Sequence, residues 1–451
     1  MDSRPALQGS ISPSNYVLNS TFSSELDVLN PMSPKNPTGP KFPWLAIAFS
    51  LASAGAVPDP KITERQITRV GSSADCPAPT TTQGFQWDTK SCTNSYFAPW
   101  AFPIDKWVDP PKLNITVAGV PITATVDTGS TGLVASIGLF PNVTFTKTIP
   151  THIFYSSSHW LEEGYEEWID MSFGPYAMRT KMLVKGKEVC CPTFDGTADG
   201  HRCPTSKTAR GCNCSPGGCR GKRDEEEDYD TKAKREVVNL PHVAYMGIGF
   251  GRGDPQNANP FLDTLTYNGQ PSNGSSSSYC QGYVITHHGL HLGLNQDITK
   301  NFAWTTIAQQ DVGGSRDWNT PPMVYKVDNG AQQSGTILVD TGIPNSYFSN
   351  SPITWNNGST FEISVPGTSQ LYKVKYDIIK GVNFGVVSSP NPMQPDTFGI
   401  SSKAGYVNTG RKFLNCFDLA YDSIGGNFGY RYLNAAGCSQ YVTAAPSAIP
   451  S

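Results

Sequence analysis

The triplet Asp-Thr-Gly occurs twice in this chain of 451 residues, at 127 to 129 and at 340 to 342, and each copy directly follows a short apolar run. Ala124, Thr125 and Val126 precede the first; Thr336, Ile337, Leu338 and Val339 precede the second. A carboxylate on a tight turn at the end of a buried strand is fixed in position, and a glycine there lets another backbone come close. A single triplet of this kind is most often an ordinary Asx turn. Two in matching context predict two equivalent β halves whose turns meet face to face, once an insertion in the first half is allowed for. Two closely placed carboxylates do not both ionise readily, so one keeps a proton while the other acts as a base towards a water between them. Asp127 and Asp340 are therefore the candidate catalytic pair.

The rest of the chain agrees with a β architecture. It carries 36 Pro and 43 Gly, only 16% of its residues are charged, and Thr, Ser, Tyr and Val are plentiful, which favours strands and turns over long amphipathic helices. Leu113, Ile115 and Val117, then Ile122, Ala124 and Val126, alternate with polar or small residues on either side of Gly119-Val120-Pro121, and predict a hairpin ending at Asp127. The net charge of −3, with no concentrated basic face, points neither to nucleic acid nor to an anionic membrane as a partner.

Eleven Cys and five Asn-x-Ser/Thr sites (Asn114, Asn142, Asn213, Asn273, Asn357) point to the secretory pathway. Residues 42–56, FPWLAIAFSLASAGA, follow Lys35 and Lys41 and end in small residues, a signal-peptide pattern set too far from the chain start. Met32 as initiator would restore the usual spacing, so residues 1–56 are read as an over-extended start plus a signal peptide. The other reading, an uncleaved membrane anchor, needs a longer apolar run, of roughly 20 residues. Residues 57–104 form a polar, Pro- and Thr-rich leading or pro-like segment, in which Cys76 and Cys92 could close a small loop. Residues 105–280 are taken as a first lobe and 281–451 as a second. Within the first lobe, residues 190–235 hold six Cys and the charge run GKRDEEEDYDTKAKR and read as an inserted surface loop. Its cysteines are open to three readings: disulfides, a translated intron or disordered insert, or a metal site.

Four segments in order, LNITVAGVPITATVDTGSTGLVAS, YMGIGFGRGDPQNANPFLDTL, GTILVDTGIPNSYF and GRKFLNCFDLAYDSIGGNFGYR, resemble the pepsin-like aspartic peptidases over about residues 105 to 435. Within the family the chain is similar to divergent secreted members of fungal type. The resemblance implies an all-β, bilobal fold of two barrel-like lobes with a cleft between them. It implies an endopeptidase that hydrolyses peptide bonds with Asp127 and Asp340, supported by Thr128, Gly129, Ser130, Thr341 and Gly342. No cofactor or metal is expected. The expected partner is a peptide or protein substrate, with no nucleic acid and no stable membrane insertion, and the protein is expected to be monomeric and secreted or vacuolar. The alternative is a catalytically weakened member that binds peptides or proteins without turning them over.

Three departures from the family pattern bear on the site. The flap, a hairpin that covers the cleft, is aligned on IDMSFGPYAMRTKMLV. This puts Phe173 and Gly174 at its tip, Phe173 where the family has a Tyr and Val134 where it has that Tyr's Trp partner, with Tyr176 as a substitute hydroxyl. After the second triplet Ile343 stands where the first has Ser130, so Asp340 is expected to lack a hydroxyl donor, which implies a less acidic optimum or lower activity. Finally, Asn408-Thr409-Gly410 replaces an apolar pair before Gly, and Arg411 replaces an acidic residue. Elsewhere, His287, His288 and His291 lack an acidic or Cys partner for metal binding, Arg252-Gly253-Asp254 reads as a turn, and Cys416 with Cys438 is the simplest pairing in the second lobe. Cys280 has no evident partner.

Overall fold

The structure, a computed structural model, describes residues 92–155, 160–191, 194, 243–252, 259–271, 279–312, 315–349, 358–365, 370–378, 389–401 and 405–446. The expectations for residues 1–56, for Cys76, for most of the Cys-rich insertion and for Asn213, Asn273 and Asn357 lie outside them. Among the described residues the protein is all-β, broken only by short 3-10 turns, and no helix is long and apolar enough to cross a membrane.

The hairpin that leads to Asp127 forms as its alternation requires. Strands Lys112–Val117 and Val120–Asp127 pair antiparallel, with Leu113, Ile115, Ile122 and Val126 buried and Asn114 and Thr123 turned out. Their two-residue connection, Ala118-Gly119, has φ of 48° and 78°, the left-handed pair that suits the twist of a tight hairpin. Beyond the Asp127 turn, strand Thr131–Ser136 is buried at every position. It lies between two neighbours, antiparallel to Ala244–Ile248 and parallel to part of Tyr176–Cys190. Ala244–Ile248 also pairs parallel with Val120–Asp127, so one strand holds both arms of the turn. Pairing of Trp160–Phe173 with Tyr176–Cys190 closes these strands into a six-stranded barrel.

The second half repeats this path as a half-barrel. Pro322–Val327 and Gln333–Leu338 form the hairpin that precedes Asp340. Ser346–Ser349 follows the turn and pairs parallel with Phe398–Ser401. Tyr406–Asn408 then runs between the two arms, parallel to Gln333–Leu338 and antiparallel to Ser346–Ser349.

A six-stranded sheet draws its strands from both ends of the chain, in the order Tyr96–Pro99, Gly289–Leu292, Gly282–Ile285, Phe417–Asp422, Asn427–Tyr432 and Ala303–Thr306. Strand Tyr96–Pro99 comes from the segment read as a leading 57–104 region, yet it is hydrogen-bonded into this sheet, so the folded body starts no later than Cys92. Cys92 is bonded to Cys280, with Cα atoms 5.3 Å apart, which corrects the Cys76–Cys92 loop and gives Cys280 its partner. Cys416 and Cys438 are bonded as the sequence led us to expect.

The Cys92–Cys280 bridge lies among Val284, Leu294, Phe302, Trp304 and Ala420 and closes 188 residues of chain. Cross-links over long loops remove much of the unfolded chain's freedom. The double variant C92S/C280S is therefore expected to lose about 2–4 kcal/mol of stability, read as a lower urea midpoint with a steeper slope, because the unfolded chain expands without the cross-link. An unchanged midpoint would mean that the packing around the bridge alone fixes the first strand.

Candidate active site

Asp127 ends its strand and Asp340 follows its own by two residues, and both are buried. The turns that carry them are interlocked. The Thr128 N–H donates to Thr341 Oγ1 at 3.0 Å and the Thr341 N–H donates to Thr128 Oγ1 at 3.0 Å. Each threonine hydroxyl then donates across to the strand that leads to the other acid: Thr341 Oγ1 to the Val126 carbonyl at 2.7 Å, and Thr128 Oγ1 to the Val339 carbonyl. Neither threonine has measurable exposure, so every one of these bonds is shielded from water and costly to break.

The glycines set how close the two acids come. A Cβ added to Gly129 would fall on the Asp340 carboxyl group, and one added to Gly342 would lie 2.6 Å from Asp127 Oδ1 and 3.1 Å from Asp340 Oδ1. The two Oδ1 atoms thus face one point between the turns. Each also accepts a backbone N–H of its own turn, from Gly129 at 2.7 Å and from Gly342 at 2.9 Å. On the outer side, Ser130 Oγ donates to Asp127 Oδ2 at 2.6 Å.

The missing hydroxyl at Ile343 does not leave Asp340 short of a donor, contrary to the sequence reading. Asn408 Nδ2 donates to Asp340 Oδ2 at 2.8 Å. Burial first, and the Asp127 charge second, push Asp340 up to about 7, while Asn408 and Arg252 work in the opposite direction. Its high affinity for a proton therefore comes from its surroundings and the neighbouring acid, not from an absent partner.

Two arginines cap the turns. Arg252 Nε donates to the Gly129 carbonyl at 2.7 Å. Arg411 donates to the carbonyls of Thr341 at 3.0 Å, Gly342 at 2.6 Å and Val108 at 2.5 Å. Both follow a glycine in the left-handed region, Gly251 at 67° and Gly410 at 66°. Fixed cations here offset the paired carboxylates and hold the turn carbonyls.

Of the four residues assigned to the flap, three, Phe173, Gly174 and Tyr176, are not brought to the acids. Phe173, Gly174 and Tyr176 do form a hairpin tip, but it is packed away. Phe173 sits edge-on to Tyr96 at 5.7 Å, a Cβ on Gly174 would strike the Tyr96 ring, and the Tyr176 hydroxyl donates to the Leu292 carbonyl at 2.9 Å. The reason is length. Strand Trp160–Phe173 has 14 residues and spans roughly 45 Å at about 3.3 Å per residue, so only one end can be near the pair. That end is Trp160, opposite Tyr155. Val134 packs with Ile153, Leu183, Tyr155 and Tyr245, beside this other hairpin. Burial first, then the charges of Glu162 and Asp127, push the Tyr155 hydroxyl well above the ordinary tyrosine range, and Asp127 acts on Tyr245 as well. Sequence reasoning therefore missed Tyr155, Tyr245, Arg252 and the role of Asn408; only the repeated Gly-Arg pair gave a signal for any of them. No profile of a known protein family matches the chain, and no curated protein matches it.

Proposed function

We propose that the protein is an aspartic endopeptidase of pepsin-like, bilobal fold in which Asp127 and Asp340 activate water for attack on a peptide carbonyl. The observation that carries this reading is the mirrored interlock of Thr128 and Thr341, which presents two buried carboxylates to one point. Nothing in folding needs two like-charged groups held together in this way, and burying them apart from any use would cost stability. That such a pair shares one proton is known behaviour of aspartic peptidases and is taken over from them.

In this reading Asp340 holds the proton, because burial and its neighbour favour the neutral form there, and Asp127 is the base. Asp127 takes a proton from water as the water oxygen bonds to the carbonyl carbon, and Asp340 gives its proton to the carbonyl oxygen. Collapse of the tetrahedral species breaks the C–N bond as Asp127 gives its proton to the leaving nitrogen and Asp340 takes back the proton of the hydroxyl that becomes the new carbonyl. The two carboxyls then again share one proton. The substrate is a peptide segment lying across the turns, on the side where the Asp127 charge reaches Tyr155.

A statine-type peptide, whose hydroxyl mimics the tetrahedral species, separates this reading from a binding protein of the same fold. It should bind at least about 100-fold more tightly than the plain peptide of the same sequence, measured by calorimetry near pH 5. Equal affinities would favour the peptide-binding alternative.

A further inference from the structure

We propose that Asn408 is a positioning residue for Asp340: its amide keeps Asp340 Oδ2 an acceptor, so that the proton shared by the two acids stays on the inner Oδ1 side. The proposal rests on reading Asp127 and Asp340 as a catalytic pair. It follows from a comparison of the two turns. Each acid is held by two donors, one to each oxygen. At Asp127 these are the Gly129 N–H and the Ser130 hydroxyl, both from its own turn. At Asp340 the Gly342 N–H keeps its place, but the second donor comes from a different strand, 68 residues along the chain.

The chemistry of the second donor differs. A hydroxyl can rotate to donate or accept, whereas an amide NH2 only donates. Serine at 130 tolerates a proton on either oxygen of Asp127. Asn408 does not allow one on Asp340 Oδ2, because two hydrogens would then face each other. The amide cannot turn round to relieve this. Asn408 Oδ1 accepts the Gly410 N–H at 2.9 Å, so a flip would set oxygen against carboxylate and NH2 against N–H at once. Asn408 is buried, and no water can take up either loss at small cost.

Tyr406 lies on the same strand, and both Arg252 and Asn408 act on its hydroxyl; Arg252 itself reaches the Gly129 carbonyl of the other turn. The charged and titratable groups that act on Asp340 from the elements around it are Asp127, Arg252, Arg411, Tyr347, Tyr406 and Tyr421. All of them remain when Asn408 is changed. The two departures from the family pattern at Ile343 and Asn408 are, in these terms, one exchange: a hydroxyl lost from the turn and an amide gained from the strand beside it.

The test is a carboxyl titration of the full chain labelled with 13C at aspartate Cγ, in the wild type, N408L, N408V and I343T/N408V. N408L keeps the branched shape of Asn without a donor or a new charge and guards against a packing defect peculiar to the smaller N408V. Loss of a donor to the ionised form should raise the Asp340 midpoint by about one pH unit in either single variant. I343T/N408V, with a hydroxyl placed as Ser130 is, should bring it back. In cleavage assays kcat should fall on the order of 10-fold with KM little changed, and the alkaline limb of the pH profile should move up with the titration. An Asp340 midpoint unmoved in both single variants overturns the proposal, whatever the cleavage assays show. A moved midpoint in a protein that cleaves no peptide upholds the positioning role and counts instead against the peptidase reading.

Discussion

Asp340→Asn is expected to lower kcat by at least about 1000-fold, and Asp127→Asn to do the same, with the fold retained in both. Each substitution keeps the size of the side chain and an acceptor oxygen for the N–H of its turn, although in D340N the new NH2 then faces the Asn408 NH2 and that variant starts with a buried donor-to-donor contact. What is lost is the ability to take or give a proton. The pair works as a unit, so the double variant should be no slower than either single one by more than a small factor. Stability supplies an independent readout. Asp340 in the folded protein releases its proton at about 7, against 3.8 for the free side chain. Between these values the unfolded chain has lost a proton that the folded protein still binds, so the wild type must lose stability as pH rises from about 4 to about 7. D340N removes that titration. Urea unfolding at pH 4, 5.5 and 7.5 should therefore show a flatter profile for D340N than for wild type, whatever the absolute stability of the variant. Parallel profiles would show that Asp340 is an ordinary exposed acid.

What could be read from sequence was whatever is local. The alternation of Leu113, Ile115, Ile122 and Val126 fixes the hairpin, and the repeated triplet fixes where its turn falls, because both depend on neighbours a few residues apart. The parts that were misread depend on distant partners. Ile343 gave a correct account of a missing hydroxyl but no hint that Asn408 supplies the donor, since the parallel pairing of Leu338 with Asn408 is a property of the sheet. Cys92 found its partner 188 residues away, where counting spacings favours a nearer one. Phe173 and Gly174 were set beside the acids because they form a tip that looks, in sequence, like any other hairpin tip. Tyr155 carried no local mark at all. The Gly-Arg pair at 251–252 and 410–411 was visible, yet its meaning lies in which carbonyls the guanidinium groups reach, and that needs the turns in place.

Gly129→Ala and Gly342→Ala should be nearly as damaging to activity as loss of an acid, and for a reason that tests the mirrored geometry itself. A methyl group on Gly129 has to occupy the space of the Asp340 carboxyl; one on Gly342 has to displace Asp127, whose Oδ1 would be 2.6 Å from the new carbon. Neither carboxyl can move freely. Asp127 is tied to the Gly129 N–H and Ser130, and Asp340 to the Gly342 N–H and Asn408. The clash must then be relieved by separating the turns, which strains the Thr128–Thr341 interlock, or by pushing a carboxyl off its donors, which moves a reacting oxygen. Displacement by even about 1 Å is enough to cost about 100-fold in rate, so kcat in each variant should fall by at least about that factor. Thermal unfolding would decide which way the strain is relieved. A large drop in melting temperature means the interlock has opened, whereas a small one with lost activity means a carboxyl has swung away. Because each glycine presses on the acid of the other turn, the paired variants D340N/G129A and D127N/G342A should unfold close to their parent D340N and D127N proteins if the neutral amide yields more easily than a carboxylate held by two donors. An Ala at either position with activity near wild type would mean that the two turns do not approach as closely as the interlock demands, and the shared-proton mechanism would lose its geometric basis.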